Sequence, residues 1–296
     1  MLSQDELDAV HRAHNFTIPA LGELVTSPMT RITYTIGKQF NSGAHGLVFF
    51  CKDQWDDDLV AKILKPEGVA FADLETRAFD ELAAQFMAKS PHIVHVHDAF
   101  IYKGAFYIIS EYCGQSVREL IERQLVPYGW FDPIVKAVLH ALYYMHNQQL
   151  AHCDIHAGNV FLKFQDDAIV PDGINSASIF KLGDFGLTRP IEIMDPCGTF
   201  LNCLRPPEAI DPEKFGILDH RADIYQAGLL FLNILLGREL EFSMEDILEG
   251  RPRQLAESLP KAESKLIATM LRRHSEARPA SALDAWLEFK QNTQYQ

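Results

Sequence analysis

The chain has 296 residues, of which 47% are apolar, and a formal net charge of −13 at pH 7. This composition excludes a disordered chain, and the length fits either one large two-lobed domain or two smaller ones. The acidic charge, without a long Lys/Arg cluster, speaks against a nucleic-acid partner, because a phosphate backbone requires a basic surface.

Five cysteines without a CxxC pair favour a reducing compartment over a disulfide framework. The acidic start shows no secretory signal. The sequence contains no run of about 18 apolar residues, so we expect no membrane span. We therefore expect a cytoplasmic protein, with delivery into another cell as an open alternative. The sequence leaves the oligomeric state undetermined.

The first third of the chain has the pattern of a small β-sheet with one helix. Residues 1–30 are interpreted as an N-terminal extension, because an acidic stretch is followed by a connector that contains prolines. Alternating apolar residues from 31 to 113 predict short strands, and apolar residues at helical spacing predict a helix over Phe71–Ala88. Lys103 and Gly104 predict a turn between two strands.

After Gly114 the sequence becomes mainly helical. One helix is predicted over Asp132–Asn147, and a second over Ala222–Leu236 is apolar almost all round, which indicates full burial. Further helices are predicted up to residue 290, and residues 291–296 form a C-terminal tail. We therefore place a boundary between two parts of the chain near Gly114.

Two glycines, Gly43 and Gly46, lie between the first predicted strands. Glycine allows backbone N–H groups to approach phosphate oxygens closely, so this turn is a candidate phosphate-binding loop. An ordinary hairpin turn remains the alternative at this point.

A lysine lies inside the next predicted strand, Leu59–Leu64, which is otherwise apolar. Lys62 either provides a point charge for phosphates or lies on an edge strand with its ammonium in water. Glu75 falls on the predicted buried face of the following helix and is a candidate partner for Lys62. It could equally lie at the edge of that face.

Two carboxylates and a carboxamide follow at predicted strand ends, namely Asp154, Asn159 and Asp184. An aspartate can accept a hydroxyl proton, while an asparagine and a second aspartate can hold Mg²⁺ through oxygen atoms. Any one of these residues could simply be a turn residue, but the set in this order predicts a phosphoryl-transfer site.

Taken in order, these motifs resemble those of the eukaryotic-type protein kinase family from about residue 33 to residue 290. The resemblance implies an α+β, two-lobed protein-kinase-like fold over residues 31–290. It implies an N-lobe at about 31–113, a small antiparallel β-sheet with one helix, and a larger, mainly helical C-lobe at about 114–290.

The resemblance also implies roles for individual residues. Asp154 matches the catalytic base, and Lys62, Glu75 and Asn159 complete the implied catalytic set. The implied nucleotide contacts come from the Gly-rich loop, the strand lysine, the hinge that receives adenine and the D-F-G motif: Asn41, Gly43, Gly46, Val48, Lys62, Glu111, Cys113 and Asp184. Asn159 and Asp184 are the implied metal ligands, for Mg²⁺ or alternatively Mn²⁺.

Two motifs near the C-terminal half extend the resemblance. The segment that ends in Pro207 and Glu208 resembles the end of an activation segment, and Arg278 resembles the late arginine that pairs with that glutamate. Asp223 and Gly228 resemble the start of the buried central helix of the C-lobe.

The sequence departs from the family pattern at two positions around Asp154. Cys153 replaces an arginine that normally receives an activation-loop phosphate, which implies activity without that phosphate. His156 replaces a lysine that helps to neutralise the transferring phosphate, which implies a lower rate or a different substrate.

These observations predict an ATP-dependent protein kinase that phosphorylates protein hydroxyl groups, with Ser/Thr as the default and Tyr left open. The H-x-D-x-H-x-G-N pattern also resembles small-molecule phosphotransferases of the aminoglycoside and choline kinase type. A pseudokinase that binds nucleotide without transferring phosphate is the third alternative. The expected partners are ATP and a protein substrate.

Overall fold

The structure is a computed structural model that describes residues 17–43, 46–64, 76, 82, 90–165, 177–196, 200 and 205–293. The chain divides into two compact units. The first comprises Met1–Phe86 and Val94–Tyr112, and the second comprises Met87–Ile93 and Cys113–Gln296.

A six-stranded antiparallel sheet forms the first unit. The strands are β1 (Leu24–Thr26), β2 (Thr33–Gly43), β3 (Gly46–Lys52), β4 (Asp58–Leu64), β5 (Val96–Tyr102) and β6 (Ala105–Glu111). Their spatial order is β1-β2-β3-β4-β6-β5, so β4 lies in the interior of the sheet and is paired on both sides. Alternating burial along β3 and β4 follows the apolar pattern of the sequence, as the two-residue period of a strand requires.

The hairpin between β5 and β6 turns at Lys103 and Gly104, as predicted. Both residues have positive φ, 46° and 75° respectively, which is the geometry of tight hairpin turns that match strand twist. The predicted helix Phe71–Ala88 falls mostly outside the described residues. Thr76 and Leu82, the two of its residues that are described, are helical.

The second unit is mainly helical, as predicted. Its longest helices coincide within a residue with the predicted ones at Asp132–Asn147 and Ala222–Leu236. The helices are α1 (Val117–Glu122), α2 (Phe131–Asn147), α3 (Pro207–Ile210), α4 (Pro212–Phe215), α5 (Arg221–Leu236), α6 (Met244–Glu249), α7 (Arg251–Ser258), α8 (Glu263–Met270) and α9 (Ala282–Thr293).

Helix α5 is buried on nearly all sides, which confirms the prediction made from its apolar sequence. At Gly228, a Cβ atom would lie 3.1 Å from Met270 Cβ and from Leu271 side-chain atoms. The glycine therefore allows α5 to pack closely against the end of α8.

Two short strand pairs complete the second unit. Strand β7 (Leu150–Ala151) pairs with β10 (Arg189–Pro190), and β8 (Val160–Gln165) pairs with β9 (Ala177–Leu182). The segment that joins β8 to β9 lies outside the described residues.

The predicted pair between Glu208 and Arg278 is present. Both guanidinium Nη atoms donate to the carboxylate at 2.6 Å, and neither side chain is exposed. Arg278 also donates to the backbone carbonyls of Arg221, Arg272 and Arg273. A fully satisfied buried ion pair of this kind fixes the start of α3 against the loop that precedes α9.

Candidate active site

Lys62 lies on β4, an interior strand of the first-unit sheet. It pairs in register with Val48 on one side and Ile108 on the other, and its side chain is half-buried. The alternative of an edge-strand lysine is therefore wrong. Its proposed partner, Glu75, lies outside the described residues, so the Lys62–Glu75 pair stays a prediction.

Gly43 and Gly46 face each other across the β2–β3 hairpin, where Asn41 is paired with Val48. A Cβ atom at Gly46 would lie 2.7 Å from the carbonyl oxygen of Ile63, which is closer than real Cβ atoms come to a backbone atom. This close approach to β4 is sufficient to explain why position 46 is a glycine, even without a bound phosphate. The phosphate-binding role of the loop stays a prediction.

Glu111 and Cys113, the predicted hinge residues, are both buried in their respective units. The Glu111 carboxylate accepts the backbone N–H of His95 at 2.7 Å, and the two residues also pair through their backbones at 2.9 Å. The carboxylate is therefore anchored within its own sheet. The adenine contact predicted for this segment stays a prediction.

In the second unit, the loop after β7 holds Asp154 in a defined orientation. Asn159 Nδ2 donates to the Asp154 backbone carbonyl at 2.9 Å and to its Oδ2 at 3.0 Å. The other carboxylate oxygen, Oδ1, is buried and accepts no hydrogen bond from the described residues. A carboxylate held by one oxygen can accept a proton or a hydroxyl hydrogen bond at the other.

Asp184 is brought to the same loop through the backbone. The N–H of Gly183 donates to the Asn159 carbonyl at 2.9 Å, and His152 Nε2 lies 3.2 Å from the Gly183 carbonyl. Asp184 itself is exposed and has a positive φ of 57°. Phe185 is buried against the ring of His152, so the backbone on both sides of Asp184 is fixed.

The donor set formed by Asn159 and Asp184 fits a hard divalent cation. Because Asn159 Nδ2 donates to Asp154, the amide oxygen is the atom of that side chain left for a metal. Over the part of the chain that the structure describes, no group of three or more His, Cys, Asp or Glu side chains is arranged to hold a metal ion by itself. Proteins usually bind Mg²⁺ through one or two oxygen donors, and phosphate and water complete the coordination shell.

Helix α5 holds the backbone of the loop after β7 that contains Asp154, which we call the catalytic loop after its predicted role. Sequence reasoning missed part of this arrangement. Asp223 accepts the backbone N–H groups of His152 and Cys153, both at 2.8 Å. One turn later, Gln226 accepts from Ile155 N–H at 3.0 Å and donates to the Cys153 carbonyl at 3.1 Å. A second polar residue three positions after Asp223, in an otherwise apolar helix, was the available signal.

The charge of Asp223 is stabilised although the residue is completely buried. Burial raises the pKa of this carboxyl, but the hydrogen bond from His146 and the loop N–H groups outweigh it, so the pKa is lowered overall. Burial lowers the pKa of His152, whose Nδ1 accepts the Asp154 N–H at 3.3 Å. The loop thus rests on a buried carboxylate and an uncharged imidazole.

Comparisons with known proteins identify the family to which this chain belongs. Residues 34–287 match the protein kinase domain family, so the chain belongs to the protein kinase family. Its α+β, two-lobed fold class is thereby confirmed.

The similar curated proteins are serine/threonine-protein kinases. The chain is 26% identical to PLK2 of Mus musculus over 278 residues, which is 88% of this chain and 38% of the relative. It is 27% identical to Nek11 of Homo sapiens over 292 residues, covering 86% of this chain and 40% of the relative. The chain therefore spans less than half the length of these relatives.

Members of the protein kinase family use ATP and a divalent metal ion to phosphorylate proteins. Among the described helices, none is both long enough and apolar enough to cross a membrane. The family match favours the protein kinase interpretation over the small-molecule phosphotransferase that the H-x-D-x-H-x-G-N pattern left open.

Proposed function

We propose that this chain is an ATP-dependent protein kinase that transfers the γ-phosphoryl group of ATP to a serine or threonine hydroxyl, with Mg²⁺ as the metal. The observation that carries the proposal is the orientation of Asp154. Its Oδ2 is held by Asn159, while its Oδ1 is buried and accepts no hydrogen bond from the described residues. This is the arrangement expected of a group that orients an acceptor hydroxyl and receives its proton.

Within this proposal each residue has a distinct role. Asp154 positions the acceptor hydroxyl and accepts its proton, and Lys62 with Glu75 provides the charge for the nucleotide phosphates. Asn159 and Asp184 hold the metal through oxygen atoms, and Glu111 with Cys113 lies in the segment that receives adenine. Bound ATP would supply the phosphoryl group, and a divalent ion held by Asn159 and Asp184 would partly neutralise the phosphate charge.

A protein acceptor is favoured over a small molecule by the buried Glu208–Arg278 pair. This pair joins the start of α3, which resembles the end of an activation segment, to the loop before α9. A segment fixed in this way would support docking of a peptide. The relatives named as serine/threonine-protein kinases support the same choice.

The test is a transfer assay with labelled ATP, with Mg²⁺ or Mn²⁺, and with three kinds of acceptor: generic proteins, Ser/Thr and Tyr peptides, and aminoglycosides. We expect label on protein Ser or Thr, identified by phosphoamino acid analysis. Label only on the aminoglycosides would support the small-molecule alternative. Nucleotide binding without transfer to any acceptor would support the pseudokinase alternative.

A further inference from the structure

The residue that replaces the usual catalytic-loop lysine, His156, contacts a cation from another element. Arg118 on α1 places its Nη2 atom 3.4 Å from His156 Nδ1. The backbone N–H of Gly158 donates to the same Nδ1 at 2.9 Å. A guanidinium and a backbone N–H are both pure donors, so Nδ1 is the accepting nitrogen and the ring hydrogen lies on Nε2.

This Nε2–H group faces the proposed base. His156 Nε2 lies 3.6 Å from Asp154 Oδ2, the oxygen that also accepts from Asn159. The distance is longer than a normal hydrogen bond, so we treat it as a close electrostatic contact. Both side chains are largely buried, which limits screening by water.

Arg118 is held for this contact by a second interaction. Its Nε lies 2.9 Å from both carboxylate oxygens of Glu239, and this partly exposed ion pair orients the guanidinium so that Nη1 and Nη2 lie next to the loop. Because arginine stays charged at any relevant pH, the ring nitrogen always faces a positive charge. That charge draws electron density towards Nδ1 and strengthens Nε2–H as a donor.

Gly158 provides an independent indication that this arrangement is built into the loop. A Cβ atom there would lie 2.8 Å from His156 Cε1 and 3.0 Å from both His156 Nδ1 and Arg118 Nη1. Any side chain at Gly158 would therefore displace the imidazole, the guanidinium or both. The small residue leaves room for the contact between Arg118 and His156.

We propose that Arg118 is a positioning residue that acts on Asp154 through His156. Arg118 fixes the hydrogen of His156 on Nε2 and polarises it towards Asp154 Oδ2, so that Oδ1 stays directed at the acceptor hydroxyl. The pair thereby supplies, from two elements, a donor where a lysine of the loop would otherwise provide an ammonium. This inference rests on the proposed function, because it assigns a partner to the proposed base.

Steady-state kinetics with four variants test the proposal. For Arg118→Met we expect kcat to fall about tenfold, the scale of one charge-assisted contact, with KM for ATP unchanged. His156→Lys should also be impaired, because its ammonium would face the Arg118 guanidinium. The double variant Arg118→Met/His156→Lys should recover much of the lost kcat. Arg123→Met, which removes an exposed arginine of the same segment, is the matched control and should behave as wild type.

A readout without turnover separates failure of this inference from failure of the proposed function. In protein labelled with ¹⁵N at histidine, two-bond ¹H–¹⁵N correlations report the hydrogen-bearing nitrogen of His156, with His156→Gln for assignment. We expect the Nε2–H tautomer in the wild type, and a weaker preference for it in Arg118→Met and in Gly158→Ala.

Three results would overturn the inference. They are a hydrogen on Nδ1 in the wild type, a wild-type kcat for Arg118→Met, and a double variant no better than either single variant. A wild type that shows the Nε2–H tautomer but transfers phosphate to no acceptor would instead count against the proposed function, and with it against the catalytic part of this inference.

Discussion

At the scale of single residues, Asp154 is the group on which the proposed chemistry depends most directly. Asp154→Asn keeps the shape of the side chain but cannot accept the hydroxyl proton. We expect kcat to fall by about 10²–10⁴-fold, the usual contribution of a general base, with little change in ATP affinity. Turnover kinetics and nucleotide titration measure the two quantities separately, and an unchanged kcat would remove Asp154 from the role of base.

Asp184 is the exposed carboxylate proposed to hold the metal. Asp184→Ala should abolish transfer while the protein stays folded, because the side chain is exposed and little packing is lost. The melting temperature should fall modestly, because alanine tolerates the positive φ of this position less well than aspartate. Chelation of divalent ions with EDTA should abolish transfer by the wild type, and added Mg²⁺ should restore it. Transfer that continues in EDTA would refute the metal assignment of both Asp184 and Asn159.

Some contacts of single residues could be predicted from the sequence, and others could not. The order of Asp154, Asn159 and Asp184 indicated a shared task, because short strands and tight loops keep such residues close. The contact between Arg118 and His156 joins residues 38 positions apart. No periodicity connects such positions, so only the folded chain reveals which cation lies beside the ring.

At the scale of elements, α5 supports the catalytic loop through a buried carboxylate, and this makes stability depend on pH. Because the folded-state pKa of Asp223 is lowered, its stabilising contribution is present above the unfolded pKa of about 3.9 and is lost as the pH falls through the lower folded pKa. Asp223→Asn should therefore melt well below the wild type at pH 7, and the difference should shrink below about pH 4.

Melting curves of the two proteins between pH 7 and pH 3 provide this measurement. Glu213→Gln, on the short helix α4, is a matched control because its carboxylate is exposed and should change the melting temperature little at any pH. A difference between wild type and Asp223→Asn that stays constant down to pH 3 would show that Asp223 contributes shape rather than charge.

Elements with a strong pattern were predicted well. Helix α5 was predicted because its sequence is apolar almost all round, and the β5–β6 turn because Lys103 and Gly104 are typical of a turn. Both turn residues have positive φ in the structure. The function of α5 as an anchor for the loop that contains Asp154 was harder to predict. Asp223 and Gln226 are polar residues in an apolar helix, and their partners are backbone groups, which carry no signature in the sequence.

At the scale of the whole molecule, the order of motifs along the chain predicted the fold class. The exact limits of the domains were harder to predict from the sequence. Strand β1, Leu24–Thr26, lies within the segment interpreted as an extension, yet it pairs with β2 as an edge strand. Three residues are too few for a two-residue alternation to stand out in the sequence, which explains why β1 was not predicted. The limits of the extension and of the domain stay predictions.

The residue that precedes the proposed base leads to a prediction about regulation of the activity of this chain. Kinases with an arginine there use it to receive an activation-loop phosphate through charge-assisted hydrogen bonds. Cys153 offers no cation. Burial and nearby Asp223 raise the pKa of its thiol, which Arg189 only partly offsets. Thr188 is itself buried. We therefore expect the enzyme to be active as synthesised, without phosphate on Thr188 or Thr199.

The measurement is activity on a protein substrate after co-expression with a phosphatase, with mass spectrometry to establish that both threonines are bare. We expect full activity, and Thr199→Ala should match the wild type because no phosphate at that position is required. An enzyme that is inert when bare and recovers only after Thr199 is phosphorylated would contradict the prediction. Arg189 would then be the cation to replace, because it already lies close enough to influence the Cys153 thiol. Loss of the phosphate-dependent recovery in Arg189→Met would show that it has taken over the missing arginine's role.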